Sequence, residues 1–183
     1  NKKTIKKHER GVVKRVLNFN FCAPTEFVFG KNTEHETGML IRRFGGQKVL
    51  VMYGGKSAKQ SGVLDRVLNS MKDEMLEYLE MGGISANPRL SFVKNAMLTA
   101  KEQKVDFLLA IGGASVIDTV KAVAVGLAAE KNGRDFWTYL YDGKIFNSSK
   151  LEPMAKDVLP FGVILTHAAA GSEGGDSSVV VND

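Results

Sequence analysis

The chain has 183 residues, 44% of them hydrophobic, enough to bury one sizeable core. No apolar run approaches a membrane span, and the single cysteine, Cys22, excludes an internal disulfide framework, so a reducing, cytoplasmic setting away from membranes is expected. The formal charge of +5 lies in the tail: residues 1–16 carry Lys2, Lys3, Lys6, Lys7, Arg10, Lys14 and Arg15 against Glu9, a net of +6, leaving −1 for residues 17–183 and no bias of the folded part toward nucleic acid.

Residues 1–16 have no initiator Met, no apolar signal core and no amphipathic stripe, and read as a disordered or foreign extension. Leu17 to Phe29 suggests two short extended pieces split at Pro24. Glu34 to Phe44 can form a short helix, with Gly45-Gly46 as its stop. Lys48 to Tyr53 is an apolar strand that runs into Gly54-Gly55-Lys56-Ser57. Val63, Leu64, Val67, Leu68 and Met71 then mark a helix to about Ser70, and Met75 to Leu79 reads as a second strand ended by Gly82-Gly83. Asn87-Pro88 signals a turn and a helix start, since proline is pre-set for the first helical position; Leu90, Val93, Met97 and Ala100 carry that helix to Lys104.

Phe107 to Ile111 is an unbroken apolar run, as expected for a parallel strand covered on both faces. Gly112-Gly113 ends it, and Val116, Val120, Val123, Ala124 and Leu127 give the next helix, beginning near Ser115, one face for the sheet. Beyond a polar turn, Asp135 to Tyr139 holds the only Trp, residues 142–156 are loop-like, and Phe161 to Thr166 is a further buried strand. It feeds the small-residue run His167 to Gly175, and Val179-Val180-Val181 looks like a last strand. Strands alternating with helices over short linkers predict βαβ units: an α/β fold with a mainly parallel sheet, flanking helices and right-handed crossovers.

Glycine-rich turns thus follow Tyr53, Ile111 and Thr166, and the carboxyl ends of parallel strands line one edge, where ligands bind. A helix that starts just after Gly113 would aim its first N–H groups and the positive end of its dipole at an anion such as a pyrophosphate. Ser115 with Asp118 also fits a capping box that merely satisfies the helix end, and the fingerprint G-x-G-x-x-G is not met. Of the three histidines, His8 lies in the tail, His35 starts a surface helix, and His167 stands near the crevice. No spacing supports a metal site or a nucleophile elbow, and Lys121, one turn past Asp118, is expected in a surface ion pair.

These motifs resemble the iron-type, group III alcohol dehydrogenases, in particular the butanol dehydrogenase and aldehyde reductase branch. The resemblance covers Leu17 to Asp183 and rests on Asn18-Phe19-Asn20-Phe21, Pro24-Thr25, Phe29-Gly30-Lys31, Tyr53-Gly54-Gly55 and Asn87-Pro88-Arg89. Gly112-Gly113-Ala114-Ser115-Val116-Ile117-Asp118 is similar to that family's G-G-G-S-x-I-D, and Thr166 to Glu173 to its T-x-x-A-T-G-S-E. It implies a Rossmann-like dinucleotide-binding domain over residues 17–183, taking NAD or NADP. Gly112, Gly113, Ser115 and Asp118 would lie at the pyrophosphate turn, Gly54, Gly55 and Ser57 at the adenosine ribose, and Thr166 along the ribose and nicotinamide.

Three departures stand out. Ala114 replaces a glycine, tolerable only at negative φ. Ala170 replaces a threonine, which removes a hydroxyl from the cofactor wall. Lys56 replaces a glycine, where it would either pair with a 2′-phosphate or point to water. The resemblance further implies reversible reduction of an aldehyde to a primary alcohol, commonly in a homodimer. The family's all-helical second domain, whose aspartate and three histidines bind divalent iron or zinc, is not in this sequence, so the chain alone is expected to be inactive. Related polyol dehydrogenases, dehydroquinate synthase and a non-catalytic nucleotide-binding module are the competing readings; the Phe-Asn-Phe and Asn-Pro-Arg segments argue against the first two.

Overall fold

The computed structural model describes residues 25–141 and 150–183. The basic extension, Cys22 and the first of the two expected N-terminal pieces lie outside them, and residues 25–29 form no strand.

Four parallel strands, β1 (Lys48–Tyr53), β2 (Glu77–Met81), β3 (Phe107–Gly112) and β4 (Phe161–Leu165), form one sheet in the order β2-β1-β3-β4. The helices are α1 (Thr37–Arg43), α2 (Ser57–Gln60), α3 (Val63–Asp73), α4 (Leu90–Glu102), α5 (Ala114–Lys131) and α6 (Phe136–Leu140). The fold is α/β, as the alternation predicts.

The central strands are apolar throughout because helices cover both faces. Val49, Val51, Tyr53, Phe107, Leu109 and Ile111 point to the side of α1 and α3, whereas Leu50, Met52, Leu108 and Ala110 point to α4, α5 and α6. Helix α5 was expected to bury one face. It is instead enclosed nearly all round, with Ile117, Val120, Ala122, Val123, Ala124 and Ala128 fully buried, as befits a helix between the sheet, α4 and α6.

Several boundaries differ from expectation for physical reasons. Strand β2 begins at Glu77 rather than Met75, because Met75 takes a left-handed conformation (φ 53°) that ends α3. The N–H groups of Met75 and Leu76 bond back to Lys72 O (2.9 Å) and Met71 O (3.0 Å), a Schellman cap. Lys104 (φ 54°) ends α4 in the same way, two residues earlier than expected. Helix α4 starts at Leu90, not at Pro88. Its first N–H groups are taken by remote partners, Leu90 N by Val181 O (2.9 Å) and Ser91 N by Asp183 Oδ1 (3.0 Å). The expected strand at Val179–Val181 is therefore a single parallel bridge between Val181 and Arg89, since a helix start offers no ladder along which pairing can continue.

Candidate cofactor site

Strand order and helix placement create a switch point between β1 and β3. The helices that follow β1 lie on one face and α5, which follows β3, on the other, so the adjacent carboxyl ends open a crevice. The segment after β2 closes the crevice on one side, Gly83 N donating to Gly54 O (2.9 Å) and Ile84 N to Tyr53 O (3.3 Å).

On the β1 side, a side-chain carbon added to Gly55 would meet nothing within 4 Å, and Ser57 opens α2 exposed to solvent. Gly112 is different: a Cβ there would fall 2.5 Å from Val116 Cγ2 and 2.9 Å from Val116 Cβ, so β3 passes α5 with no room for a methyl group. Gly113 caps α5 in an extended conformation, with a would-be Cβ 3.7 Å from His167 Cβ. Ala114 is the first residue of α5 and is not among the positive-φ residues, so the condition for tolerating its methyl group is met. The N–H groups of Ala114 and Ser115 have no acceptor within the helix, as in any first turn. Ser115 Oγ accepts from Asn87 N at 3.3 Å, tying that turn to α5, and Thr166 N donates to Gly112 O at 3.1 Å.

The structure therefore brings Gly112, Gly113, Ser115 and Thr166 together at one sheet edge, with Gly54, Gly55 and Ser57 at the next strand end. Gly113, Ala114 and Ser115 are half-buried at the amino end of an 18-residue helix with no acidic residue in its first turn, and Gly55 is open at the next strand end, an arrangement that fits a dinucleotide pyrophosphate.

Asp118 is placed differently. No capping box forms with Ser115; Asp118 is 9% exposed and accepts from Ser172 Oγ (2.5 Å) and Val179 N (3.1 Å). Lys121, expected at the surface, is 7% exposed, and its ammonium donates to the carbonyls of Ser172, Gly175 (2.6 Å) and Ser177 (3.1 Å). Burial pulls its pKa below the ordinary lysine value, opposed by the charges of Asp118, Asp176 and Glu173. The sequence signal for both roles is a pair of charges inside an otherwise apolar helix, Ile117 to Val123.

Tyr141 and Ser178 escaped the sequence reading altogether. Their hydroxyls meet at 2.7 Å in the core, and the Tyr141 ring stacks on Trp137 at 5.0 Å. Burial pushes the Tyr141 phenol up to about 12, against an ordinary 10.0, with the Ser178 hydrogen bond opposing. The folded state thus disfavours the phenolate: the stabilisation is complete below pH 10 and is lost as pH rises toward 12, with a ceiling of about 3 kcal/mol. Urea unfolding below pH 10 and near pH 12 should show a larger alkaline loss for the unaltered chain than for Tyr141→Phe; equal losses would refute it.

Among the described residues no group of three or more His, Cys, Asp or Glu side chains could hold a metal ion, and no helix is long and apolar enough to cross a membrane.

The probable NADH-dependent butanol dehydrogenase 2 of Bacillus subtilis is 38% identical over 165 residues, 90% of this chain and 39% of that protein. The NADPH-dependent aldehyde reductase YqhD of Escherichia coli is 38% identical over 163 residues, 89% of this chain and 39% of its own length. Among solved structures, NADH-dependent butanol dehydrogenase A of Thermotoga maritima superposes with a TM-score of 0.78 at 38% identity, over 90% of this chain and 38% of that one. The chain spans about two fifths of the relatives it matches. The family model described as iron-containing alcohol dehydrogenase matches residues 24–183, and the chain belongs to that family.

Proposed function

We propose that residues 17–183 are the dinucleotide-binding domain of an alcohol dehydrogenase that reversibly reduces an aldehyde to a primary alcohol with NADH or NADPH. One observation carries the reading: two glycine turns flank the switch point between β1 and β3, and the longest described helix begins at the second of them. Gly112, Gly113 and Ser115 hold the pyrophosphate through main-chain N–H groups, where the helix end contributes about half a positive charge. Gly54, Gly55 and Ser57 lie along the adenosine ribose. Thr166 borders the ribose and nicotinamide, and Asp118, bonded to Ser172 and Val179, holds the loop after β4. When bound, the nicotinamide supplies or accepts the hydride.

Lys56 is exposed beside the β1 turn, where a 2′-phosphate would meet it. The cytoplasm is the expected location and a homodimer the expected assembly of the whole enzyme. The described residues offer no ligand set for divalent iron or zinc, and no step through a metal is assigned to them.

Titration of the 183-residue chain with NADH and NADPH, displaced by ADP-ribose, is expected to give saturable binding with Kd on the order of 10–100 μM. Turnover of butanal by that polypeptide alone is expected to be absent. No saturable binding at millimolar nucleotide refutes the cofactor assignment. A tenfold preference for NADPH that Lys56→Ala abolishes would identify the 2′-phosphate partner.

A further inference from the structure

The stretch from Thr166 to Ser178 has almost no bonding of its own. Within residues 171–175, only Gly174 N to Gly171 O (3.2 Å) and Gly175 N to Ser172 O (3.3 Å) are internal. Its carbonyls at Ser172, Gly175 and Ser177 converge instead on the Lys121 ammonium, whose three protons match three acceptors. Asp118, one turn earlier on α5, takes the Ser172 hydroxyl with one oxygen and the Val179 N–H with the other. Two buried charges on one helix therefore close around the same loop. The loop's other end abuts the glycine turn: Thr166 N bonds Gly112 O (3.1 Å), and His167 lies beside Gly113.

The loop is mostly exposed, and with no ladder along its run of Ala and Gly its carbonyls pair with water or with a side chain; the half-buried ones beside α5 take the Lys121 ammonium. We propose that Lys121 is a positioning residue for cofactor binding: its ammonium gathers three loop carbonyls and so holds the Thr166–Ser178 loop as the β4-side wall of the crevice, with Asp118 acting through Ser172 and Val179. The inference rests on the cofactor reading above. It assigns no contact between Lys121 and the nucleotide.

The cage of carbonyls provides the test. In Lys121→Ala the NADH affinity of the 183-residue chain is expected to fall about tenfold or more, one charge-assisted hydrogen-bond set being lost. Methylammonium or ethylammonium, which fit the vacated cage and carry N–H donors, should restore most of that affinity at constant ionic strength. Tetramethylammonium, with no donor, should not. Trp137 fluorescence reports the loop independently, because Trp137 stacks on Tyr141 and Tyr141 bonds Ser178. Should Lys121→Ala fail to fold, Ser172→Ala leaves both charges in place and cuts one tie; its expected loss is about threefold.

Affinity of Lys121→Ala within twofold of the unaltered chain overturns the proposal, as does a loss that tetramethylammonium restores equally or that no amine restores. Absence of NADH binding by the unaltered chain is a separate result: it refutes the cofactor reading, and the proposal with it.

Discussion

Gly112→Ala is expected to weaken dinucleotide binding by about two orders of magnitude and to destabilise the fold by about 2–3 kcal/mol. The added methyl group would lie 2.5 Å from Val116 Cγ2 and 2.9 Å from Val116 Cβ. Rotation of Val116 can move Cγ2, but its Cβ is fixed by the backbone of α5. Relief therefore requires the first turn of α5 to withdraw from β3. That turn carries the N–H groups of Ala114 and Ser115, and a binding constellation tolerates displacements of only about 0.5 Å. Stability and affinity should consequently fall together, one read by urea unfolding and the other by NADH titration. Val116→Ala removes the colliding carbons, so the double variant should recover much of both, with a favourable coupling energy of about 1–2 kcal/mol. A Gly112→Ala chain that is stable and binds normally would show that β3 and α5 are not in the close contact described.

How much of this was legible in the sequence depends on where each residue's partners lie. Strands β1 and β3 read directly, because a strand covered on both faces is an uninterrupted apolar run; β4 also reads as a strand, but it is half-buried where a buried one is expected. A helix end that uses glycine also reads directly: Gly45 occupies a left-handed position after α1. The two ends that use Met75 and Lys104 in the same conformation did not, since neither side chain advertises it. The glycine turns of the site were visible because strand, turn and helix are contiguous. Asp118 and Lys121 were not, because their partners stand 51 to 61 residues further along the chain. Their burial could have been inferred from the apolar residues around them, but not what they hold.

Gly38→Ala should cost about 3 kcal/mol or more, although alanine is the better helix former by about 1 kcal/mol. Gly38 lies inside α1, where a glycine ordinarily weakens a helix, and its reason is tertiary. A Cβ there would fall 2.2 Å from Ser70 O and 2.8 Å from Ser70 C, both main-chain atoms of α3. The Gly38 N–H donates to Ser70 Oγ at 2.7 Å across the same contact. Nothing flexible can yield, so the two helices must separate. Separation also strains the reach of Arg42 to the carbonyls of Glu74 (2.8 Å) and Met75 (2.9 Å), which cap α3. Ser70→Ala, which removes only the hydroxyl, should cost about 1 kcal/mol and serves as the comparison. Helices α1 and α3 pack on the sheet face opposite α5, so the Gly38→Ala chain that remains folded should bind NADH with unaltered affinity. Lower stability with intact affinity here, against the joint loss expected at Gly112, separates residues that hold the sheet from residues that shape its crevice. A neutral or stabilising Gly38→Ala would contradict the close approach of α1 to α3.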